Sequence, residues 1–166
     1  MRELTEVQIQ LCAALRRLAK AVVVISCAHE RRRFAMAATA VSEISIDPPA
    51  MLACINRNAS IHAPLAASAD FCLNILHGSH AEISALCSGK ATGEERFAIG
   101  NWAESATGIP YLKDAQANIF CRCSSFLTRG SHSIFVGDVF EALQAGEVDP
   151  LVYVDGRYTA VRTLAG

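Results

Sequence analysis

Short β-rich runs recur along this chain, and they constrain its fold more than any other feature of the sequence. Val, Ile, Phe and other strand-forming residues dominate each run, and turn residues such as Gly, Asp and Pro separate one run from the next. Two short helical patterns interrupt the series, at about residues 60–67 and 80–87. Because the strands do not alternate with regular helices, the pattern favours a β-barrel over a doubly wound sheet. The predicted strands lie at residues 21–26, 34–41, 50–56, 71–76, 117–126, 133–143 and 151–161.

The length and composition predict one domain over residues 1–166, mainly β with a few peripheral helices. A chain of this size with 52% hydrophobic residues can bury one core but is too short for two. Fifteen Lys and Arg nearly balance sixteen Asp and Glu. Since no strong field attracts a polyanion, we expect no nucleic-acid partner.

The N-terminus and the cysteines indicate the compartment. Charged residues precede the first apolar block, and the longest apolar patch, near residues 21–25, is short, so the sequence predicts neither a signal peptide nor a membrane span. The seven cysteines form an odd set, and Cys12, Cys27, Cys54 and Cys72 lie among apolar residues as small core residues do. We therefore expect free thiols in a reducing cytoplasm.

Cys121 and Cys123 are the closely spaced pair among these cysteines. On an extended strand both thiols point to the same face. A zinc site needs a second pair of ligands, which this part of the sequence does not offer. Buried packing is the preferred interpretation, and no metal is expected.

An N-terminal helix is predicted after Thr5, a candidate cap. Val7, Leu11, Leu15 and Leu18 recur at helical spacing. The apolar stripe is narrow and lacks aromatic anchors, so we expect it to pack on its own domain rather than on a membrane.

Residues 89–110 mix Gly, Ser, Thr and charged residues without periodicity. They predict a long, exposed and irregular excursion. Loops of that length often serve as binding elements or lids.

Motifs of the common catalytic sites are absent from the sequence. The chain contains no glycine-rich dinucleotide fingerprint, Walker loop, nucleophile elbow or zinc-protease motif. Glu94 and Glu95 are adjacent and diverge on any regular element, so they make a poor acid and base pair. These observations disfavour the standard nucleotide-binding folds and metalloprotease chemistry.

The segment 56–60, Asn-Arg-Asn-Ala-Ser, joins a predicted strand to a predicted helix. Backbone N–H groups are unpaired at such a junction and can hold a phosphate. Arg57 would add a charge-assisted fork, Ser60 a hydroxyl donor, and His62 another donor if its ring points inward. On spacing alone, helix capping by Asn58 or Ser60 with a solvated Arg57 is the somewhat better interpretation.

Ala38, Thr39 and Ala40 place small residues on a polar strand. A flat aromatic ligand can approach the backbone there and form main-chain hydrogen bonds. Taken alone, the pattern more often indicates tight packing between strands or between two subunits.

Taken in order, these segments resemble the flavin reductase family of FMN-binding split barrels. The resemblance is nearest to the reductase components of 4-hydroxyphenylacetate 3-monooxygenase and similar two-component flavin-dependent monooxygenases. It rests on the shared order of many short pieces rather than on any one of them. The pieces are Met36, residues 38–41, Ser45, 47–49, 54–58, Ser60, 71–76, 94–97, Trp102, Gly108, Pro110, 130–137 and 156–158.

The resemblance implies a six-stranded Greek-key split barrel with added helices, assembled as a homodimer with the flavin near the subunit interface. It also implies an NAD(P)H-dependent flavin reductase, which transfers a hydride from NADH or NADPH to FMN or FAD and supplies reduced flavin to a partner monooxygenase. An alternative on the same fold is a dimeric flavin-binding module, non-enzymatic or holding its flavin tightly, that passes electrons to another acceptor.

Matching positions imply the site residues. The segment 38–41 would line the isoalloxazine ring, and the segment 56–60 would hold the ribityl and phosphate portion. His132 would lie beside the nicotinamide and the flavin, and is the implied catalytic residue. The complete cofactor-binding set is Ala38, Thr39, Ala40, Val41, Cys54, Asn56, Arg57, Ser60, Ile61, His132 and Tyr158.

Two positions depart from the commonest family pattern. Thr39 and Ala40 stand where many relatives carry Ser-Ser or Ser-Ala, so one hydroxyl contact is replaced by backbone contacts or lost. Ser131 stands where many carry Asp before the histidine, which removes a carboxylate partner for His132. The sequence therefore implies the flavin role more firmly than the nicotinamide role.

Overall fold

Strands dominate the computed structural model, which describes residues 4–162. The mainly β class is confirmed. The helices are α1 (Glu6–Leu15), α2 (His62–Ala66) and α3 (Ala81–Ala85), with shorter helical turns at Gly78–His80, Leu86–Lys90 and Gly93–Phe97. The strands are β1 (Lys20–Ala21), β2 (Val23–His29), β3 (Arg32–Ala38), β4 (Val41–Ile46), β5 (Pro49–Asn56), β6 (Phe71–Ile75), β7 (Trp102–Glu104), β8 (Pro110–Leu112), β9 (Ala117–Arg129), β10 (His132–Gln144), β11 (Val152–Val154) and β12 (Arg157–Thr159).

The main sheet has seven antiparallel strands in the order β3-β2-β6-β9-β10-β5-β4. Its two edges, β3 and β4, are consecutive in the chain and are joined by Thr39 and Ala40. In a flat sheet six strand spacings would separate the edges by about 29 Å, but three Cα steps reach at most about 11 Å. The sheet must therefore curl until its edges meet, and the predicted barrel is confirmed.

A seam runs along this barrel, because β3 and β4 do not pair with each other in the described part of the chain. The sequence predicted one continuous strand over residues 34–41, which breaks after Ala38 into β3 and β4. That break gives the main sheet seven strands instead of the implied six. The last predicted strand also divides, into the β11–β12 hairpin, which pairs with β1.

Alternating side chains of the main sheet fill the barrel interior, where Ile25, Phe71 and Phe135 are fully buried. Gly137 lies at a register shift between β9 and β10. A Cβ atom at this position would lie 2.6 Å from both the Cys121 Cβ and the Phe71 ring. The close approach of these strands therefore requires glycine.

A buried amide network fastens β8 to the main sheet through Asn74 of β6. The Asn74 side-chain amide donates to the Val24 carbonyl at 2.8 Å and to the Ser26 hydroxyl at 2.9 Å. Its oxygen accepts from the Leu112 N–H at 2.8 Å and from the Asn118 amide at 2.9 Å. All four hydrogen-bonding positions of this buried side chain are thus occupied.

Residues 89–110 pack in part on the outer face of β3, and the prediction of an irregular excursion is wrong, although many of these residues are exposed as expected. Phe97 and Leu112 join Val24 in a second core on that face. Arg33 of β3 forms an ion pair with Glu94 and lies 4.3 Å from the centre of the Phe97 ring. Helical turns and the β7–β8 hairpin replace the expected loop.

The helix α1 forms as expected, with Thr5 and Gln8 making a reciprocal capping box. The expectation that its apolar face packs on the barrel is wrong, because α1 buries no residue. Val7 is 72% exposed and Leu11 54%. The reason is that apolar residues lie on more than one side of α1, so its pattern does not select a single packing face. Within residues 4–162 no helix is long and apolar enough to cross a bilayer.

The cysteines are free thiols in the structure, and five of them are buried. Burial raises the pKa of the Cys27 thiol and of the Cys121 thiol to about 12, which keeps both protonated. Cys121 and Cys123 share the interior core, as expected. Cys12 is exposed, and its assignment to the core is wrong because α1 lies away from the barrel.

Candidate functional site

The segment 38–41 crosses the seam of the barrel, and this crossing leaves backbone groups available. The Cys54 N–H of β5 donates to the Ala40 carbonyl at 2.8 Å, which ties the segment to β5. In the described chain, the N–H groups of Thr39 and Ala40 donate to no protein acceptor. Because Thr39 is half-buried and Ala40 is exposed, these donors can bond to water or to a ligand. They are donors of the kind that a flat ligand could use, and the predicted ligand contacts of this segment stay a prediction.

A cavity of about 280 Å³ opens beside the start of this segment. Its polar wall includes Ser84 of α3, whose hydroxyl lies 2.9 Å from the Tyr158 hydroxyl. The Tyr153 and Tyr158 rings pack edge to face with centres 5.6 Å apart. Two predicted residues, Ala38 and Thr39, thus meet a third, Tyr158, across a long sequence separation. The lining residues are Val22, Ala37, Ala38, Thr39, Ser84, Ser88, Tyr153 and Tyr158.

Sequence reasoning missed five residues of this cavity, namely Val22, Ala37, Ser84, Ser88 and Tyr153. Ser84 and Ser88 follow the helical pattern that was predicted near residues 80–87, one turn apart. That spacing places both hydroxyls on one helix face. It does not indicate which strand the face meets, so the pattern alone could not have assigned them to a site.

The segment 56–60 forms a turn rather than a helix cap. The Asn56 side chain accepts from the Asn58 N–H at 2.9 Å, and the Arg57 N–H donates to the Ser131 carbonyl at 2.9 Å. The helix α2 begins later than predicted, at His62, and no side chain caps it. Capping by Asn58 or Ser60, the interpretation that spacing favoured, is therefore wrong.

Unpaired donors also occur at the end of this turn. In the described residues, the N–H groups of Ser60 and Ile61 donate to no protein acceptor. Ile61 is fully buried in the barrel core as a whole residue, so neither its side chain nor its backbone is exposed at this turn. Val41, at the other segment, likewise packs its side chain against the core. Both residues stay predictions as cofactor contacts.

Arg96 lies against this turn, and sequence reasoning assigned it no role. Its Nη1 is 3.4 Å from the Ser60 hydroxyl. Its Nε donates to the Ala91 carbonyl at 3.0 Å, and its Nη1 also donates to the Ala35 carbonyl of β3. The available signal was its position in the 94–97 piece of the family resemblance.

His62 points into the mouth of the barrel and not toward the turn. Its Nε2 lies 2.9 Å from the Ser133 hydroxyl, which in turn lies 3.0 Å from the Thr128 hydroxyl. Partial burial, and secondarily the Arg57 charge, lowers the pKa of the His62 imidazole. This neutral, hydrogen-bonded ring packs edge-on against Phe135, so its role is structural.

His132 begins β10 and pairs directly with Asn56 of β5. Its Nδ1 lies 2.9 Å from the hydroxyl of Ser131, the preceding residue. Since Ala53 and Ile55 point inward, Cys54 and Asn56 point to the outer face of the barrel. Directly paired residues share a face, so His132 lies on this outer face too.

The outer face therefore brings several predicted residues together along β5. Ala40 is hydrogen-bonded to Cys54, and Asn56, two residues farther along β5, is paired with His132. Arg57 follows at the strand end. Within residues 4–162 no group of three potential ligand side chains is placed to hold a metal ion.

Residues 15–162 match a known family, described as "Flavin reductase like domain". The chain belongs to this family. It is 35% identical over 145 residues to the FMN reductase (NADH) RutF of Variovorax paradoxus (strain S110), which covers 87% of this chain and 81% of the relative. It is 36% identical over 143 residues to the reductase component of the FADH(2)-dependent resorcinol hydroxylase of Rhizobium sp. (strain MTP-10005), covering 86% of this chain and 80% of the relative.

A solved structure of the flavin reductase family supports the barrel. BorF, the flavin reductase component of a bacterial two-component tryptophan halogenase, superposes with a TM-score of 0.85 at 26% identity. The match covers 94% of this chain and 99% of BorF. The split-barrel architecture and the family assigned from the order of short motifs are thus confirmed.

Proposed function

We propose that this protein is an NAD(P)H-dependent flavin reductase that reduces FMN or FAD and supplies the reduced flavin to a partner monooxygenase. The observation that carries the proposal is the outer face along β5, where Ala40 is bonded to Cys54 and Asn56 is paired with His132. The names of the relatives support it, since they include an FMN reductase (NADH) and the reductase component of a resorcinol hydroxylase.

The residues present fit a flavin. The unpaired N–H groups of Thr39 and Ala40 suit the polar edge of a flat ring, and the small side chains of this segment let a ring approach the backbone. The unpaired N–H group of Ser60, with the Arg96 guanidinium beside the Ser60 hydroxyl, suits a phosphate. A bound flavin supplies the hydride-accepting ring.

The protein's part in this reaction is positioning. Hydride transfer between two stacked rings needs no side-chain acid or base, only a close approach of about 3–3.5 Å. Ala38, Thr39, Ala40 and Val41 hold the flavin ring. Asn56, Arg57 and Ser60 hold the ribityl phosphate, and Cys54 supports the ring segment through its backbone.

His132 and Tyr158 flank the ring site. The imidazole of His132 is exposed and restrained by Ser131, so it is available to orient the nicotinamide. The Tyr158 hydroxyl is held by Ser84, and its ring closes the cavity beside Thr39. Neither residue needs to change protonation state in the reaction.

We infer that the protein acts as a homodimer. Apolar side chains remain exposed on α1, on β4 and on β9, and an interface with another chain would cover such side chains. A second copy of the chain is the occupant that the family resemblance implies. The exposed residues include Val7, Ile9, Leu11, Leu15, Ile44, Ile46 and Leu127. The buried free thiols support a reducing cytoplasm as its location.

Steady-state oxidation of NADH and of NADPH with added FMN and FAD tests this function. We expect the purified protein to accelerate nicotinamide oxidation over free flavin in at least one of the four combinations. No acceleration in any combination would contradict the proposal. A protein that purifies yellow but turns over poorly with added flavin would favour transfer from a tightly held flavin to another acceptor.

A further inference from the structure

We propose that His80 acts as a pH-sensitive switch, whose neutral ring holds the helical turn Gly78–His80 in shape and whose protonation releases that turn together with the cavity walls attached to it. The basis of the switch is a hydrogen bond that fixes the tautomer of a buried imidazole. His80 lies outside the residues assigned to the flavin, so the switch does not depend on the proposed function.

The contacts of His80 fix its ring in the neutral state. The His77 N–H donates to the His80 Nδ1 at 3.2 Å, so Nδ1 carries no proton. The neutral ring then has its proton on Nε2, which faces the Asp114 carboxylate at 3.7 Å. A second proton can bind only at Nδ1, where it would meet the His77 N–H. Protonation therefore breaks the hydrogen bond that helps to cap the turn.

The surroundings of His80 favour the neutral ring. Its side chain is 8% exposed, and burial lowers the pKa of its imidazole. The Asp114 carboxylate opposes this shift of the pKa, whereas the neighbouring His77 ring adds to it. Asp114 is half exposed and lies beyond hydrogen-bond distance, so water weakens its attraction. Glu147 and Asp149, from the loop before β11, are the other charged residues that line the surrounding cavity of about 490 Å³.

The turn holds the loop that leads into the β11–β12 hairpin. The Gly78 N–H donates to the Asp149 carbonyl at 2.8 Å, and His77 forms a β-bridge with Pro150. A Cβ atom at Gly78 would lie 2.9 Å from the Asp149 carboxylate, so the two segments are in close contact. Loss of the cap therefore loosens the start of the hairpin.

Both walls of the cavity beside Thr39 are attached to this turn. The helix α3 begins directly after His80 and carries Ser84. The hairpin carries Tyr158, whose hydroxyl lies 2.9 Å from the Ser84 hydroxyl across the cavity. A proton on His80 thus acts on this cavity from both sides.

The lowered pKa sets the direction of the pH effect. Because an unfolded histidine has a pKa of about 6.5, the open turn binds the proton more tightly than the closed turn. The stabilising contribution of neutral His80 is complete above about pH 6.5 and is lost as the pH falls below that value. Between about pH 7.5 and pH 5.5, one such histidine raises the ratio of open to closed turn by at most about tenfold.

Hydrogen exchange of the paired β11–β12 amides, corrected for the intrinsic effect of pH on exchange, measures this opening. In the unmodified protein we expect protection to fall about three- to tenfold from about pH 7.5 to pH 5.5. His80→Asn keeps an acceptor in place of Nδ1 but cannot titrate, so its protection should be equal at the two pH values. His29→Asn removes a histidine at the end of β2 and should retain the full pH dependence. An equal fall in His80→Asn and in the unmodified protein would overturn the proposal.

The tautomer of His80 provides a test that needs no variant. Nitrogen NMR of the imidazole distinguishes a protonated ring nitrogen from an unprotonated one. At about pH 7.5 we expect the His80 proton on Nε2 and none on Nδ1. A proton on Nδ1 at this pH would overturn the switch. Both measurements are made without flavin, so neither result depends on whether the protein reduces flavins.

Discussion

Replacement of Asn74 by Leu should strongly destabilise the barrel, although the two side chains are similar in size. The variant leaves the buried Leu112 N–H without its 2.8 Å acceptor and removes three further hydrogen bonds, to Val24, Ser26 and Asn118. An orphaned buried donor costs about 1–3 kcal/mol, and each lost hydrogen bond contributes about 1 kcal/mol more. Because Ser26 and Asn118 keep other partners, we expect a total loss of about 3–5 kcal/mol.

Urea denaturation followed by circular dichroism measures this loss directly. For a chain of this size each kcal/mol lowers the melting temperature by about 2–4 °C, so thermal unfolding should shift by about 6–20 °C. Asn101→Leu, at an exposed position, is the matched control and should change stability little. A loss below about 1 kcal/mol for Asn74→Leu would refute the argument that the network holds β8 to the sheet.

Three other variants test the site and the barrel. The double variant Arg57→Ala, Ser60→Ala should raise the apparent KM for flavin about tenfold or more and should lower kcat less. If steady-state assays show an unchanged KM, the turn has only a structural role. His132→Ala should lower kcat/KM for the nicotinamide but keep the flavin Kd within about twofold. Loss of flavin binding in a fluorescence titration would contradict the placement of His132 beside the nicotinamide. Gly137→Ala should cost about 1–3 kcal/mol because its Cβ meets Phe71, and a melting temperature equal to that of the unmodified protein would show that the strands can separate there.

The sequence predicts the barrel well because its evidence is local and repeated. Each strand of the main sheet is long enough to show a run of strand-forming residues, and seven predicted runs leave little room for another architecture. The break after Ala38 was not predictable in the same way. Small residues continue across it without a turn signal, and only closure of the sheet bends the chain there.

Packing between distant segments accounts for the predictions that failed. The elements in residues 89–110 are three to five residues long, too short for any periodicity to appear. The exposure of α1 depends on what lies beside it, which its own pattern does not specify. Likewise, the contact between Arg96 and Ser60 joins residues 36 positions apart. No local signal reports such a contact.

The split in the barrel explains why the candidate site lies where it does. A fully closed sheet would pair the backbone groups of every strand, whereas the seam between β3 and β4 leaves the N–H groups of Thr39 and Ala40 without partners. Side chains at the crossing must be small, because larger ones would block access to these donors. The small residues between β3 and β4 thus also leave exposed backbone donors to which a flat ligand can bind. The break between β3 and β4 that closes the barrel therefore also forms part of the proposed flavin site.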